Sequence, residues 1–273
     1  MGRLITRRSI TSVSAQGRKS KVDSLAVEEP LEIRVNGKAL AVTMRTPGHD
    51  VELAHGFLLS EGVIRERSDI SAARYCDGTD DSGRNTYNVL DIALAPGIAP
   101  PQIGVERNFY TTSSCGVCGK AALDAVRLKS TYSPRASAFT VDVSTLTRLP
   151  EILREKQRVF ASTGGLHAAA LFDVAGELAV VREDVGRHNA VDKILGWAAM
   201  ENKIPLSNYG LLVSGGASFE LVQKAAMAGI PLLAAVSAPS SLAAELADDN
   251  GITLIGFLRG ETMNIYTRED RVR

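Results

Sequence analysis

The sequence is poor in cysteine, in aromatic residues and in net charge. Three cysteines in 273 residues are too few for a disulfide framework, and no secretory signal segment is visible. The formal net charge is zero, so no overall field attracts nucleic acid or an anionic membrane surface. No apolar run approaches the roughly 20 residues that span a bilayer. We therefore expect a cytoplasmic protein that binds neither nucleic acid nor membrane.

The composition favours an α/β fold. Hydrophobic residues make up 45% of the chain, charged residues 23% and aromatic residues only 5%. The first two values are ordinary for soluble globular proteins. Few aromatics together with many Ala, Gly, Leu and Val suit a tightly packed α/β fold better than an all-β sandwich. The length allows one large domain or two modest ones.

The N-terminal half reads as a small α+β unit that follows a basic tail. Six Lys or Arg and no acidic residue occur among the first 21 residues, and we expect residues 1–25 to be disordered. Asn36-Gly37 between two alternating apolar runs predicts a hairpin, and a helix is expected over residues 51–59. The unit, residues 26–135, would end in a cysteine-containing loop and its helix.

The C-terminal half, residues 136–273, alternates helices and strands. A helix is expected over residues 144–157, in which Pro150 is a candidate break. A hairpin over residues 167–181 and a run of helix–strand pairs follow. This order predicts a three-layer α/β sandwich with a mixed, mostly parallel sheet, in which the hairpin supplies one antiparallel strand.

Cys115-Gly116-Val117-Cys118 is the clearest candidate for chemistry. A helical apolar pattern begins directly after Lys120, so both sulfurs are expected in or just before the first turn of a helix. The helix dipole and the nearby lysine lower the pKa of such a thiol, and the thiolate is the nucleophilic form. This loop therefore holds the most probable nucleophile of the chain.

The residues alone leave four interpretations of the cysteine pair open. A structural zinc site needs four ligands, but only Cys76 and four histidines remain, and none forms a second paired spacing. A thioredoxin-type redox pair should follow the first strand of a βαβ unit, which the order of elements does not provide. A sulfur carrier, in which one cysteine holds a persulfide, suits an exposed thiol. A purely structural pair is the fourth interpretation.

Several turns are candidate ligand contacts. Loops after the strands of an open α/β sheet gather at one edge and form a crevice, and helix N-termini there suit phosphate. Each turn also has a structural interpretation as a tight turn, a solvated helix cap or a surface hairpin. The candidates are Gly164, Gly165, His167, Arg187, His188, Ser214, Gly215, Ser237 and the segment Phe257–Thr262, whose Arg259 could pair with phosphate.

Motifs spread over about residues 25–267 occur together in one known family. They are Val35-Asn36-Gly37, Met44–Pro47, Leu53–Phe57, Glu61-Gly62, Cys115–Gly119, Thr163–Ala168, Arg182–Lys193, Gln223–Ala225, Ser237–Pro239 and Phe257–Gly260. With these motifs the chain resembles the FdhD/NarQ family, the formate dehydrogenase accessory sulfurtransferases. The run Arg182–Lys193 is the most specific of them.

The resemblance implies a cytidine-deaminase-like core and a sulfurtransferase. Sulfur would pass from a cysteine desulfurase to the molybdenum cofactor, in its bis-molybdopterin guanine dinucleotide form, before that cofactor enters formate dehydrogenase. By the family pattern Cys115 carries the persulfide and Cys118 assists. The rival interpretation is a non-catalytic chaperone that binds and delivers the cofactor.

The resemblance also implies where the cofactor lies. Phe257, Leu258, Arg259, Gly260, Glu261 and Thr262 would help to hold it, with its guanine nucleotide in the crevice formed by the other candidate turns. A free guanine nucleotide could occupy the same crevice. The family pattern further implies a homodimer and no catalytic metal.

Two departures bear on these expectations. The family usually has Arg after the Ser214-Gly215 turn, whereas this chain has Gly216, so a phosphate contact would be missing. Zinc deaminases combine His-x-Glu with Pro-Cys-x-x-Cys. Here Ala168 and Ala169 follow His167, and no Pro precedes Cys115, so the sequence predicts that deaminase chemistry is absent.

Overall fold

The computed structural model describes residues 4–76, 78, 86–101 and 128–273. The first part of the chain holds β1 (Ile5–Ser14), β2 (Gly17–Ala26), β3 (Glu29–Val35), β4 (Lys38–Arg45), α1 (Asp50–Ser60), β5 (Ile70–Tyr75) and β6 (Val89–Leu94). The second part holds α2 (Val143–Lys156), α3 (Arg158–Thr163), β7 (His167–Phe172), β8 (Leu178–Asp184), α4 (Arg187–Met200), β9 (Gly210–Val213), α5 (Phe219–Met227), β10 (Leu232–Ala235), α6 (Ser241–Asn250), β11 (Thr253–Arg259) and β12 (Thr262–Thr267). Within these ranges no helix is long and apolar enough to cross a membrane.

The first two strands form an antiparallel hairpin of their own. Its register runs from Ile5 opposite Ala26 to Ser14 opposite Gly17, and Gly17 closes the turn with φ 121°. The disorder expected for residues 1–25 is therefore wrong for residues 5–25. The basic side chains suggested a tail, but they are interleaved with Ile, Val, Thr and Ser, which favour strands.

A four-stranded sheet follows, in the order β4-β3-β6-β5. Asn36 and Gly37 join β3 and β4 with φ of 50° and 78°, as the predicted two-residue hairpin turn requires. The helix expected over residues 51–59 is confirmed as α1. Strand β3 pairs in parallel with β6, which brings residues far apart in sequence into one sheet.

The larger sheet has six strands in the order β12-β11-β10-β9-β7-β8. Strands β9, β10 and β11 pair in parallel, whereas β7 is antiparallel to both of its neighbours and β12 is antiparallel to β11. The prediction of a mixed sheet is confirmed. Two strands run against the other four, rather than the one expected, because the chain reverses at Gly260 and returns as β12 along the sheet edge.

Helices cover both faces of this sheet. Alternate residues of each strand point to opposite faces, so Ala169, Leu211 and Leu233 pack with α4, α5 and α6. On the other face, Leu146, Leu149 and Leu153 of α2 pack against the sheet. The predicted three-layer α/β arrangement is thereby confirmed.

Helix α2 continues through Pro150 to Lys156. The expectation that Pro150 divides the helix is wrong. One apolar face of α2 packs on the sheet both before and after the proline, and this packing keeps the helix continuous. The chain instead breaks at Gln157, which has φ −79° and ψ 77° and separates α2 from α3.

Helices α1 and α4 cross in close contact. A methyl group added at Gly56 would overlap the backbone carbonyl of Asp192, and one added at Gly196 would overlap that of Glu52. The hydrophobic core around this crossing takes residues from both parts of the chain, from Leu31 to Leu254. The N-terminal sheet and the larger sheet therefore share one core.

Candidate functional site

The loops that follow three strands of the larger sheet lie side by side at one edge. The backbone N–H of Ser237, after β10, donates to the carbonyl of Gly215, after β9, at 3.2 Å. The N–H of Phe257, near the end of β11, donates to the carbonyl of Ser237 at 3.2 Å. The structure thus brings these predicted residues together where ligands of open α/β sheets usually bind.

His167 begins β7 at this same edge. The N–H of Ala168 donates to the Ser214 hydroxyl oxygen at 2.8 Å, and the N–H of Ser214 donates back to the carbonyl of Ala168 at 2.9 Å. A methyl group at Gly215 would lie 3.4 Å from Nδ1 of His167. The absence of a side chain at Gly215 therefore leaves the imidazole accessible.

A cleft of about 390 Å³ opens beside His167, within the size range of small-molecule sites. Four of its lining residues are among the predicted ones: Gly164, Gly165, His167 and Ser214. Four others were not predicted: Arg154, Gln157, Phe160 and Leu166. We call Arg154, Gln157 and Phe160 the α2–α3 wall of the cleft.

The α2–α3 wall carried one sequence signal. Its three residues follow each other at intervals of three, which places them along one side of a helical path. The guanidinium carbon of Arg154 lies 3.9 Å from the ring centroid of Phe160, so the two side chains stack. The wall thus presents a flat cationic group on an aromatic ring.

Glu183 fixes the start of α3. Its two carboxylate oxygens accept hydrogen bonds from the backbone N–H groups of Val159 and Phe160, at 3.0 and 2.8 Å. These N–H groups lie in the first turn of α3, where no carbonyl of the helix can accept from them. Glu183 is therefore a positioning residue for the wall.

Most of the Arg182–Lys193 run joins the two parts of the chain. Arg182 pairs with Glu52 of α1 at 2.6 Å, and Lys193 pairs with Asp184 at 2.7 Å while donating to the carbonyl of Thr46 at 2.9 Å. The amide of Asn189 donates to the Met44 carbonyl at 2.8 Å. These residues hold β4 and α1 against the larger sheet.

Two members of the run, Arg187 and His188, act electrostatically on the imidazole of His167. Partial burial is the largest cause of a lowered pKa for His167, followed by the positive charges of Arg187 and His188. A neutral imidazole at neutral pH can accept a hydrogen bond from a ligand. His188 itself bonds to Glu220 at 2.6 Å, which lowers the pKa of that carboxyl.

The segment Phe257–Thr262 extends from the end of β11 into the turn before β12. Leu258 is fully buried in the core, so its side chain anchors the segment rather than facing a ligand. Arg259, Gly260, Glu261 and Thr262 are exposed. The guanidinium of Arg259 lies 5.7 Å from the ring centroid of Phe257. The exposed tip can therefore meet a ligand at the β11 end of the edge.

The model of the FdhD/NarQ family matches residues 26–273. The chain belongs to the FdhD/NarQ family. Hairpin β1–β2 lies almost entirely before the matched residues.

Curated relatives resemble the chain over nearly its full length. A sulfur carrier protein FdhD of Mycolicibacterium paratuberculosis is 60% identical and covers 98% of both chains. A sulfur carrier protein FdhD of Saccharolobus solfataricus is 43% identical over 100% of both chains. A crystal structure from Desulfotalea psychrophila, described as a formate dehydrogenase accessory protein, is 23% identical with a TM-score of 0.76, and covers 99% of this chain and 100% of its own. That last likeness supports the fold.

Gly216, where the resemblance led us to expect an arginine, lies against the loop after β10. A methyl group at Gly216 would lie 2.6 Å from the carbonyl oxygen of Ala238, which leaves no room for a side chain in this backbone conformation. The loops after β9 and β10 therefore approach each other closely at Gly216.

The predicted catalytic pair, Cys115 and Cys118, lies outside the described residues, so its prediction rests on sequence. The third cysteine, Cys76, is described as a free thiol that is half-buried at the end of β5. Cys76 is therefore a natural control for experiments on the pair.

Proposed function

We propose that this chain is a sulfurtransferase that takes persulfide sulfur from a cysteine desulfurase and transfers it to the molybdenum cofactor. The cofactor substrate is the bis-molybdopterin guanine dinucleotide required by formate dehydrogenase. The observation that carries the proposal is full-length similarity to proteins named sulfur carrier protein FdhD. The Cys115–Cys118 pair and the cleft at the sheet edge support it.

The first step is a transfer of sulfane sulfur to Cys115. Its thiolate attacks the outer sulfur of the desulfurase persulfide, and a new S–S bond forms on Cys115. The S–S bond of the desulfurase breaks, and its cysteine leaves as a thiolate. No oxidant is consumed, because one persulfide is exchanged for another.

The second step releases the sulfur to the cofactor. The Cys118 thiolate attacks the inner sulfur of the Cys115 persulfide, a Cys115–Cys118 disulfide forms, and the outer sulfur leaves as hydrosulfide toward the metal. The two thiols supply the two electrons that reduce sulfane sulfur to sulfide. A cellular thiol reductant must then reopen the disulfide.

The cofactor substrate would lie along the sheet edge. Arg187 and Arg259 are exposed and can pair with its phosphates, and the hydroxyls of Ser214 and Ser237 can donate to them. Gly164, Gly165 and Gly215 allow the ligand to approach the backbone. His167 lines the cleft, and His188 in the first turn of α4 bonds to Glu220 in the first turn of α5.

A desulfurase loading experiment tests the first step. The protein is incubated with a cysteine desulfurase and cysteine, and its intact mass is measured. We expect an increase equal to one sulfur atom that disappears in Cys115→Ala and remains in the control Cys76→Ala. An adduct that persists in Cys115→Ala would contradict the assignment of the carrier.

A non-catalytic cofactor chaperone is the second candidate, since the cleft alone would serve binding and delivery. Cells that carry only Cys115→Ser separate the two functions. A carrier predicts inactive formate dehydrogenase, whereas a chaperone predicts an active enzyme.

Two further proposals concern the cellular location and the oligomeric state. The chain acts in the cytoplasm and works as a homodimer, as the family pattern implies. Light scattering of the purified full-length protein tests the second statement, and a monomeric mass at working concentrations would refute it.

A further inference from the structure

Gln157 is a buried amide that lines the cleft. It is only 4% exposed, and no residue in the described ranges donates to or accepts from its side-chain amide. Among the described residues, Nε of Arg271 is the only fully enclosed side-chain nitrogen or oxygen without a partner, so the unpaired amide of Gln157 keeps access to the open cleft. An amide in this position is suited to bond a ligand that enters the cleft.

The backbone around Gln157 is arranged to place this residue. Gln157 occupies the break between α2 and α3, and Glu183 holds the next turn through the N–H groups of Val159 and Phe160. On either side of Gln157, Arg154 and Phe160 stack at 3.9 Å. One element therefore combines a planar stacking face with a carboxamide.

This combination defines a ligand chemistry. Planar bases stack on aromatic rings and on arginine guanidinium groups, and a carboxamide offers one acceptor and one donor side by side. We infer that the α2–α3 wall recognises a fused heteroaromatic ring whose edge presents an N–H next to a carbonyl. The 2-amino-4-oxopyrimidine edge, shared by guanine and pterin, has this pattern.

The inference rests on the proposed function, whose cofactor substrate carries both kinds of ring. It adds a recognition element separate from the Phe257–Thr262 segment. Strands β7 and β11 are separated by β9 and β10, and neighbouring strands lie about 4.8 Å apart, so the two elements are roughly 14 Å apart along the edge. The wall holds one ring of a long ligand while the turn after β11 contacts another part.

Calorimetric titration of the full-length protein tests the wall. The probes are GDP, neopterin and ADP, and the variants are Gln157→Leu, Gln157→Glu and the exposed control Gln16→Leu. We expect Gln157→Leu to lower the affinity for GDP or neopterin, whichever binds the wild type, by about tenfold or more. The hydrogen-bonding edge of the ring is then left without its partner. Gln16→Leu should bind like the wild type.

The Glu variant adds a test of the edge itself. A carboxylate accepts from the ring N–H and the amino group of guanine or pterin, whereas adenine presents an acceptor at the matching ring nitrogen. Gln157→Glu should therefore keep affinity for GDP or neopterin within about threefold and lose about tenfold for ADP. Equal affinities in the wild type and Gln157→Leu, or no binding of GDP and neopterin by the wild type, would overturn the inference.

The probes separate the two sources of the ring. Binding of GDP without neopterin identifies the nucleobase end, and the reverse identifies the pterin end. Desulfurase loading of Cys115 is measured on the same variants. If Gln157→Leu is loaded normally and binds the ring with unchanged affinity, ring recognition by the wall is refuted and the sulfur transfer is not. If the wild type is not loaded, the proposed sulfur transfer is refuted and ring recognition is not.

Discussion

The Arg182–Lys193 run and the α2–α3 wall differ in how distinctive their sequences are and in what their residues contact. The run is the most specific motif in the sequence, yet Arg182 pairs with α1, Asp184 pairs with Lys193, and Asn189 bonds to β4. The wall has no distinctive motif, yet its residues line the cleft. A conspicuous charge pattern can thus serve assembly of the fold, while residues at a plain helical spacing line the cleft.

Lys193→Met should give the largest effect on stability. Lys193 and Asp184 are 1% and 0% exposed as side chains, so removing the cation leaves a buried carboxylate without its partner. Loss of one member of a buried pair costs about 3–5 kcal/mol. Denaturant unfolding measures the loss. The control is Lys203→Met, at an exposed position just after the end of α4. A loss below about 1 kcal/mol would show that the run is not structural.

Glu52→Gln should come next and should change the response to pH. Burial alone would raise the pKa of Glu52, but hydrogen bonds from Arg182 and His49 outweigh it and hold the pKa at about 2, against an ordinary value of 4.5. Because the folded pKa is depressed, this stabilisation is complete above about pH 4.5 and is lost as the pH falls toward 2. The free energy of unfolding should fall by about 3 kcal/mol at pH 7.

The same variant should have a flatter stability profile at low pH. Unfolding is measured between pH 5 and about 2.5, where the wild type loses the Glu52 contribution. Glu32→Gln, in a partly exposed pair of β3, serves as the control and should leave the profile nearly unchanged. Parallel profiles for wild type and Glu52→Gln would contradict the ion pair.

Glu183→Ala should have a smaller effect on stability but a clear one on the wall. Loss of a helix cap costs about 0.5–2 kcal/mol. Since Glu183 holds Phe160 without facing the cleft as a lining residue, its removal should weaken ring binding while leaving desulfurase loading of Cys115 intact. Glu183→Gln, which keeps one acceptor oxygen, should recover part of the binding.

Arg154→Ala should change stability least, within about 0.5 kcal/mol, since the residue is exposed and, among the described residues, its guanidinium pairs only with the Phe160 ring. Affinity for the ring-bearing probe should nevertheless fall severalfold, because half of the stacking surface is removed. Arg154→Lys should not restore it, since an ammonium is not planar. Unchanged affinity would indicate that the stack does not contact the ligand.

Local rules predicted much of the fold. Asn36-Gly37 specified a hairpin turn by backbone geometry alone, and the alternation of helices and strands after residue 140 specified the mixed three-layer sheet. The β1–β2 hairpin was missed because its charges outweighed its weak strand pattern. The direction of strand β12 depends on its pairing with β11, which the order of elements does not determine.

The candidate site was predicted only where loops meet the strands at one edge of the larger sheet. His167, Ser214, Gly215 and Ser237 meet at one edge because the ends of neighbouring strands must do so. The spacing of Arg154, Gln157 and Phe160 alone did not identify Gln157, since its significance depends on a break between two helices that local periodicity did not locate. The close approach at Gly216 depends on a carbonyl 22 residues away, at Ala238.

The close crossing of α1 and α4 at Gly56 and Gly196 determines whether this protein can be divided into independently folding halves. With two backbones in contact and a single core around them, separate halves cut near residue 135 would each expose the surface that the other covers. Neither half is then a transferable module, and grafting the N-terminal unit of a distant relative would require matching glycines at both positions. The protein should accordingly melt in one transition rather than two.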